Sequence, residues 1–271
     1  MSKKRTLLAI FAHPDDEAFG TGGTMTKYAA EGVDVHLIMA TSGDAGQISR
    51  TELATMETIG QVREDELRAA CRHYGINPPH LLRFPDGKTT VVNQKEAVAK
   101  IVALIRQLQP QVVLTFGPEG VYGHYDHIAV HRWATIAVRL AADPEWFPEQ
   151  LENGTQPHTV AKVYHRATPQ ERIDDMYRNN GGYVMMDGVP FPFVGFTADE
   201  ITTVIDTTAY AEQKLAGILS HATQIDPTRF NLDDNPLQQH WLHEETFIRA
   251  KSLVPVCEGI ERDLFCGLDE S

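Results

Sequence analysis

Apolar residues in the first half of the chain fall into short continuous runs, separated by polar stretches that carry helical spacing. Residues 6 to 12 read as a buried strand, 17 to 31 as a helix stopped by Gly32, and 33 to 40 as a second strand. Strand, helix and strand in that short span form a βαβ unit, which implies a parallel sheet with a right-handed crossover. A helix over 55–73 stops at Gly75, Leu81 to Phe84 is a short third strand, and 93–108 is a helix with Val98, Ile101, Val102 and Ile105 on its core face. Pro110 to Phe116 is the fourth strand. The expected fold is α/β: a Rossmann-like, doubly wound, mostly parallel sheet with helices on both faces, an order of 3-2-1-4 for the first four strands, and an elaborated C-terminal part.

The pattern weakens after residue 140. Residues 143–158 hold Pro144, Pro148 and Pro157 and read as an irregular connection. Residues 159–164 read as a strand, 179–193 as a turn-rich lid, 201–206 as a half-exposed strand and 209–221 as a helix. The expectation is one domain over 1–271, with a core at about 5–140 and a substrate-shaping region at about 143–200.

Composition narrows the class. The 271 residues are 42% hydrophobic and 23% charged, as in folded globular chains. A net charge of −13, from 24 basic and 37 acidic residues, argues against a nucleic-acid surface. Lys3, Lys4 and Arg5 precede a strand rather than a long apolar segment, and no run is long enough for a membrane span, so the expected compartment is the cytoplasm. An oligomer is left open. Cys71, Cys257 and Cys266 are odd in number and lack C-x-x-C spacing, which suits neither a disulfide framework nor a thiolate zinc site. Gly20, Gly22 and Gly23 come too late after the first strand for a dinucleotide loop and are read as close-packing positions.

The chemistry gathers in two loops. Ala12-His13-Pro14-Asp15-Asp16-Glu17 leaves the first strand, and Tyr122-Gly123-His124-Tyr125-Asp126-His127 follows the fourth. In a doubly wound sheet these strands are neighbours at the topological switch point, so the two loops share one crevice. The simpler alternative for the first loop is a solvated turn whose acids cap a helix from Glu17. If His13, Asp16 and His127 coordinate a divalent ion, two imidazoles and a carboxylate suit zinc, or another divalent transition metal, and leave a position for water. The expected chemistry is attack by metal hydroxide, with Asp15 as general base. His124 is expected to act as an imidazolium beside the oxyanion or leaving amine, Asp126 to orient that ring, and Tyr122 to donate to the oxyanion. Gly43 to Gly46 and Pro85-Asp86-Gly87 reach the same sheet edge. His131, the pair His240 and His243, and His221 have simpler readings as packing, exposed or helix-end residues.

Together, Ala-His-Pro-Asp-Asp-Glu at 12–17 and Gly-His-x-Asp-His at 123–127 resemble the PIG-L/LmbE-like zinc-dependent de-N-acetylases. The resemblance covers about residues 5 to 135, and 214 to 224 more weakly. It implies zinc on His13, Asp16 and His127, Asp15 as base, His124 and Tyr122 at the tetrahedral intermediate, and substrate contacts from Arg63 and Asp86. Asp44 stands where the family commonly has a substrate-facing glutamate, and Tyr125 where it has a proline. The expected activity is release of acetate from a small N-acetylglucosamine-type conjugate. The alternatives are a non-catalytic sugar- or nucleotide-binding module and a metal-dependent amidase acting on a non-sugar amide.

Overall fold

The first apolar run, Thr6 to Phe11, forms β1 and is buried along its whole length. A strand without an exposed face must be covered on both sides, and the surrounding architecture supplies that cover. The computed structural model describes residues 4–152, 154–179, 181–186, 188–225 and 241–268. Its main sheet has seven strands in the order β3-β2-β1-β4-β5-β9-β8. Beside β1 lie β2 (Asp34–Thr41), β3 (His80–Phe84), β4 (Val112–Thr115) and β5 (Lys162–Ala167), all mutually parallel. The strand β9 (Glu244–Ser252) runs antiparallel to β5 and to the edge strand β8 (Thr203–Asp206).

Helices α1 (Gly22–Ala30), α2 (Ile59–Tyr74) and α7 (Ala211–Ser220) pack together, as do α3 (Gln94–Leu108) and α5 (Tyr125–Leu140). The chain steps outward from β1 to β3 and then back across to β4 and β5, so right-handed crossovers put these two helix groups on opposite faces. Two glycines let the first group close up. A Cβ at Gly22 would lie 3.1 Å from the Tyr74 ring and one at Gly217 would lie 2.1 Å from it, so this ring fits between α1 and α7 only because both positions lack side chains.

The first four strands take the expected order. Four details differ from the sequence reading. The helix expected from residue 17 begins at Gly22, because consecutive turns occupy 13–21 (Asp16 N donates to His13 O at 3.1 Å and Ala18 N to Asp15 O at 3.0 Å). Glu17 therefore does not start it. The turn-rich stretch contains a hairpin of β6 (Tyr183–Met186) and β7 (Val189–Pro192), and the short helices α4 (Gly120–Gly123) and α6 (Gln170–Arg178) were not foreseen. The stretch from His240 to Glu244, expected to be helical, is helical at 241–243 but turns into β9 at Glu244, where pairing with β5 and β8 overrides local pattern; His240 lies outside the described residues. Cys257 and Cys266 are joined as a disulfide, because the chain doubles back between them to a Cα–Cα distance of 6.5 Å. Among the described residues, no helix is long and apolar enough to cross a membrane.

Candidate active site

The loop leaving β1 has an unusual backbone. Asp15 has φ 129°, a region that non-glycine residues rarely enter and that costs about 1–3 kcal/mol. Its N–H donates to Glu17 Oε2 at 3.0 Å, and Glu17 Oε1 lies 2.8 Å from His221 Nε2, with both of these side chains fully buried. Arg63 of α2 adds a second clamp, donating to Pro14 O at 2.6 Å and Gly43 O at 3.1 Å. The buried supports compensate the strain and fix where the Asp15 carboxylate sits.

Donor atoms of three residues converge beside it. His13 Nδ1 lies 3.2 Å from Asp16 Oδ2, His127 Nε2 lies 3.1 Å from Asp16 Oδ1, and the two imidazole nitrogens are 3.3 Å apart. Ligands 2.0–2.1 Å from a tetrahedral ion are separated by about 3.3–3.4 Å, so this trio has the spacing of one face of such a centre. The tautomers also fit. His127 Nδ1 is 3.1 Å from Gly120 O, an acceptor that requires the proton on Nδ1 and leaves the Nε2 lone pair free. His13 Nε2 is 3.0 Å from both Asp86 Oδ1 and Asp126 Oδ2, which leaves Nδ1 facing Asp16 and His127. Two further groups, His13 with His124 and His127, and His13 with Asp86 and Asp126, also bring ligand atoms together. In the last, the carboxylates face the ring nitrogen opposite to the one that joins the trio, the usual arrangement of acids that orient a liganding imidazole.

The Asp126 position corrects the sequence reading. Its carboxylate does not orient His124; it accepts from His13 Nε2, Gly87 N at 2.7 Å, Thr89 N at 3.2 Å and Thr89 Oγ1 at 2.5 Å. What reaches His124 is the Asp126 backbone N–H, which donates to Nδ1 at 3.1 Å as the ring caps α5. His124 therefore carries its proton on Nε2. Burial and the neighbouring His127 and His13 push its pKa down to about 4, so at neutral pH it is a neutral donor rather than the expected imidazolium.

Burial opposes ionisation of Asp16 and Asp126, yet the adjoining histidines outweigh it and hold both well below the usual carboxylate range. For His13 burial works against the charged form, but Asp126, Asp16 and Asp86 reverse the balance and raise it. Asp15 behaves differently. Desolvation raises it to about 7 despite the Arg63 guanidinium 3.2 Å away, in the range suited to a proton acceptor at neutral pH. Tyr122 follows the positive-φ Val121, packs edge-on against His124 and His127, and has its phenol raised by burial and by Asp16.

Two cavities meet here, sharing Asp15, Asp16, Tyr122 and Val184. The larger, about 530 Å³, takes in His13, His124, Arg63, Asp86 and the loop from Ala45 to Ser49. Asp86 accepts from Ala45 N at 2.9 Å through its second oxygen. Asp44 is exposed, receives the Asp86 N–H at 3.4 Å, and lines neither cavity. The smaller, about 300 Å³, is walled by apolar side chains together with Arg166, Arg172 and Trp241, none of which sequence reasoning singled out. Only their proximity in the fold connects them to the motifs. His131 bonds Phe116 O at 2.8 Å and packs edge-on against His165, a packing role. His221 serves the site through Glu17, at one remove.

The fold and site define an α/β protein with a histidine- and aspartate-rich cluster at the switch point of its sheet, and comparison makes the class specific. Residues 8–138 match the PIG-L family, GlcNAc-PI de-N-acetylase. The chain is 37% identical to 1D-myo-inositol 2-acetamido-2-deoxy-alpha-D-glucopyranoside deacetylase of Streptomyces griseus, covering 97% of this chain and 89% of that protein. It is 34% identical to the protein of the same name from Rhodococcus jostii, covering 99% of each. Its fold is shared with N,N'-diacetylchitobiose deacetylase of Pyrococcus horikoshii, at a TM-score of 0.68 and 20% identity over 90% of this chain and 83% of that one. The chain belongs to the PIG-L family and is an N-deacetylase.

Proposed function

We propose that the protein is a zinc-dependent deacetylase of an N-acetylglucosaminyl conjugate, with 1D-myo-inositol 2-acetamido-2-deoxy-alpha-D-glucopyranoside, the compound in the names of its relatives, as the leading substrate. The convergence of His13 Nδ1, Asp16 and His127 Nε2 carries this reading. A bound zinc ion would supply a Lewis acid and lower the pKa of its water to about 7. Asp15, set at the junction of the two cavities with its pKa near neutrality, takes the proton of the attacking water. His124 Nε2–H and the Tyr122 phenol donate to the oxyanion that forms at the acetamide carbon. Asp126 and Asp86 keep His13 in the tautomer that points Nδ1 inward. Arg63, Asp86 and the loop to Ser49 give the larger cavity the polar character of a sugar site. Arg166, Arg172, Ile173, Met176, Phe193 and Trp241 wall the other side, in keeping with a substrate-shaping role for 143–200. A cytoplasmic place suits a small diffusible substrate.

The test is acetate release from the inositol conjugate, from other N-acetylglucosamine conjugates and from free N-acetylglucosamine, with zinc and after chelation. The reading requires zinc-dependent acetate, fastest with the inositol conjugate. Turnover that survives chelation, or no acetate from any member, would overturn it.

A further inference from the structure

In the smaller cavity two guanidiniums stand across from Asp15 and Asp16, and some of the donors there have no acceptor. Arg166 comes from β5 and Arg172 from the first turn of α6, and both face this space. Nε and Nη2 of Arg172 and Nε1 of Trp241 are buried without an acceptor. Arg166 makes no ion pair among the described residues, and its guanidinium rests against Gly20, whose Cβ would lie 3.0 Å from Arg166 Nε. The fields of Asp16, Glu244 and Glu245 reach the guanidiniums, but Asp16 is already held by His13 and His127, and Glu245 pairs with Lys214 at 2.7 Å and accepts from Gly23 N and Thr24 N. Burial lowers both guanidiniums' pKa, that of Arg172 to about 10, and the positive field of Arg166 adds to the lowering of Arg172. Buried charges of this kind are normally paired. Convergent N–H donors without acceptors, in a chain whose net charge is −13, describe a site for an anion.

The direction follows from the shared centre, and it rests on the deacetylase reading. With the sugar in the larger cavity and the scissile carbonyl at Asp15 and Asp16, the acyl substituent points into the smaller one. An acetyl methyl fills little of about 300 Å³. Phe19, Ile173, Met176 and Phe193 would cover a short hydrocarbon chain leading to the guanidiniums. We propose that the enzyme also hydrolyses amides of the same amino sugar whose acyl chain ends in a carboxylate, of the N-succinyl type, with Arg172 and Arg166 receiving that carboxylate. The step is a hydrolysis without redox change: the amide C–N bond breaks, a C–O bond to the water oxygen forms, nitrogen takes the proton, and a dicarboxylate and free amine leave.

The experiment compares kcat/KM for the N-acetyl, N-succinyl and uncharged N-succinamoyl forms of one conjugate, using the zinc-loaded full chain. The expected result is a succinyl-over-succinamoyl preference of about tenfold or more. Arg172→Met should bring that ratio near one, and Arg172→Lys should keep part of it. If Arg172→Met does not fold, the wild-type ratio and Arg172→Lys still decide. A wild-type ratio near one, a ratio unchanged in Arg172→Met, or a preference appearing only when the carboxylate is moved to the aglycone overturns the proposal. With the acetyl compound still turned over, such a result leaves the deacetylase reading intact; loss of acetyl turnover as well would sink that reading itself.

Discussion

The two cavities on either side of Asp15 differ in how their polar groups are satisfied. Around His13, Asp16, Asp126 and His127, each carboxylate faces an imidazole, and Asp126 alone gathers four partners. Around Arg172 and Trp241, buried donors have no acceptor from the protein. The first arrangement is preassembled: its carboxylates are held ionised against imidazoles, and a cation entering it would displace the proton that the same carboxylates favour on His13. The second is unfinished without an acceptor from outside. On the proposed readings, a metal centre and a ligand subsite carry opposite signatures, the one in short internal contacts and the other in missing ones.

Breaking the preassembled side has the largest expected effect. His127→Ala removes one of three convergent atoms, and acetate release should fall by about a thousandfold or more, with loss of stoichiometric metal by elemental analysis. A variant that keeps its metal and rate would remove His127 from the centre. Asp126→Asn is milder. It weakens the acceptor for His13 Nε2–H, so metal affinity should drop about 10- to 100-fold while excess zinc restores most of the rate. Loss of rate that zinc does not rescue would show that Asp126 acts otherwise than through His13.

The smallest effect concerns a charge cluster outside both cavities. The hydrogen bonds from Arg83, at 2.8 and 2.9 Å, lead the effects that hold Glu64 at about 2, below its ordinary 4.5. A carboxyl depressed on folding adds stability above its unfolded pKa and loses it as pH falls through the folded one. Arg83→Gln should therefore lower the melting temperature at pH 7 by a few degrees, with the gap from wild type closing between about pH 4.5 and 2. Equal melting curves across that window would mean that the pair contributes nothing.

How far the sequence revealed these regions follows the same division. The strands β1 to β4 are short apolar runs buried by helices, and local pattern suffices to find them and to bring the two loops together. Composition and spacing therefore pointed to His13, Asp15, Asp16 and His127. Glu17 was misread because a carboxylate two residues after Asp15 has the local look of a helix cap. Its actual partner, His221, is over 200 positions away in sequence, and nothing local announces it. His124 was misjudged in charge, since its pKa depends on burial and on rings that only the fold brings near. Arg166, Arg172 and Trp241 carry no motif. Arg166 and Trp241 lie 75 positions apart and meet because β9 inserts antiparallel beside β5, a long-range pairing that periodicity does not encode.

The most direct test of the account concerns Asp15. Zinc-loaded Asp15→Asn should bind one metal ion per chain, the stoichiometry expected of the wild type, because Asp15 is not among the convergent ligand atoms. Its kcat for acetate release should be lower by about 10²- to 10⁴-fold, because the neutral amide cannot accept the proton. Wild-type turnover with full zinc, or a slow enzyme that has lost its zinc, would contradict the assignment of Asp15 as the base beside a separate metal centre.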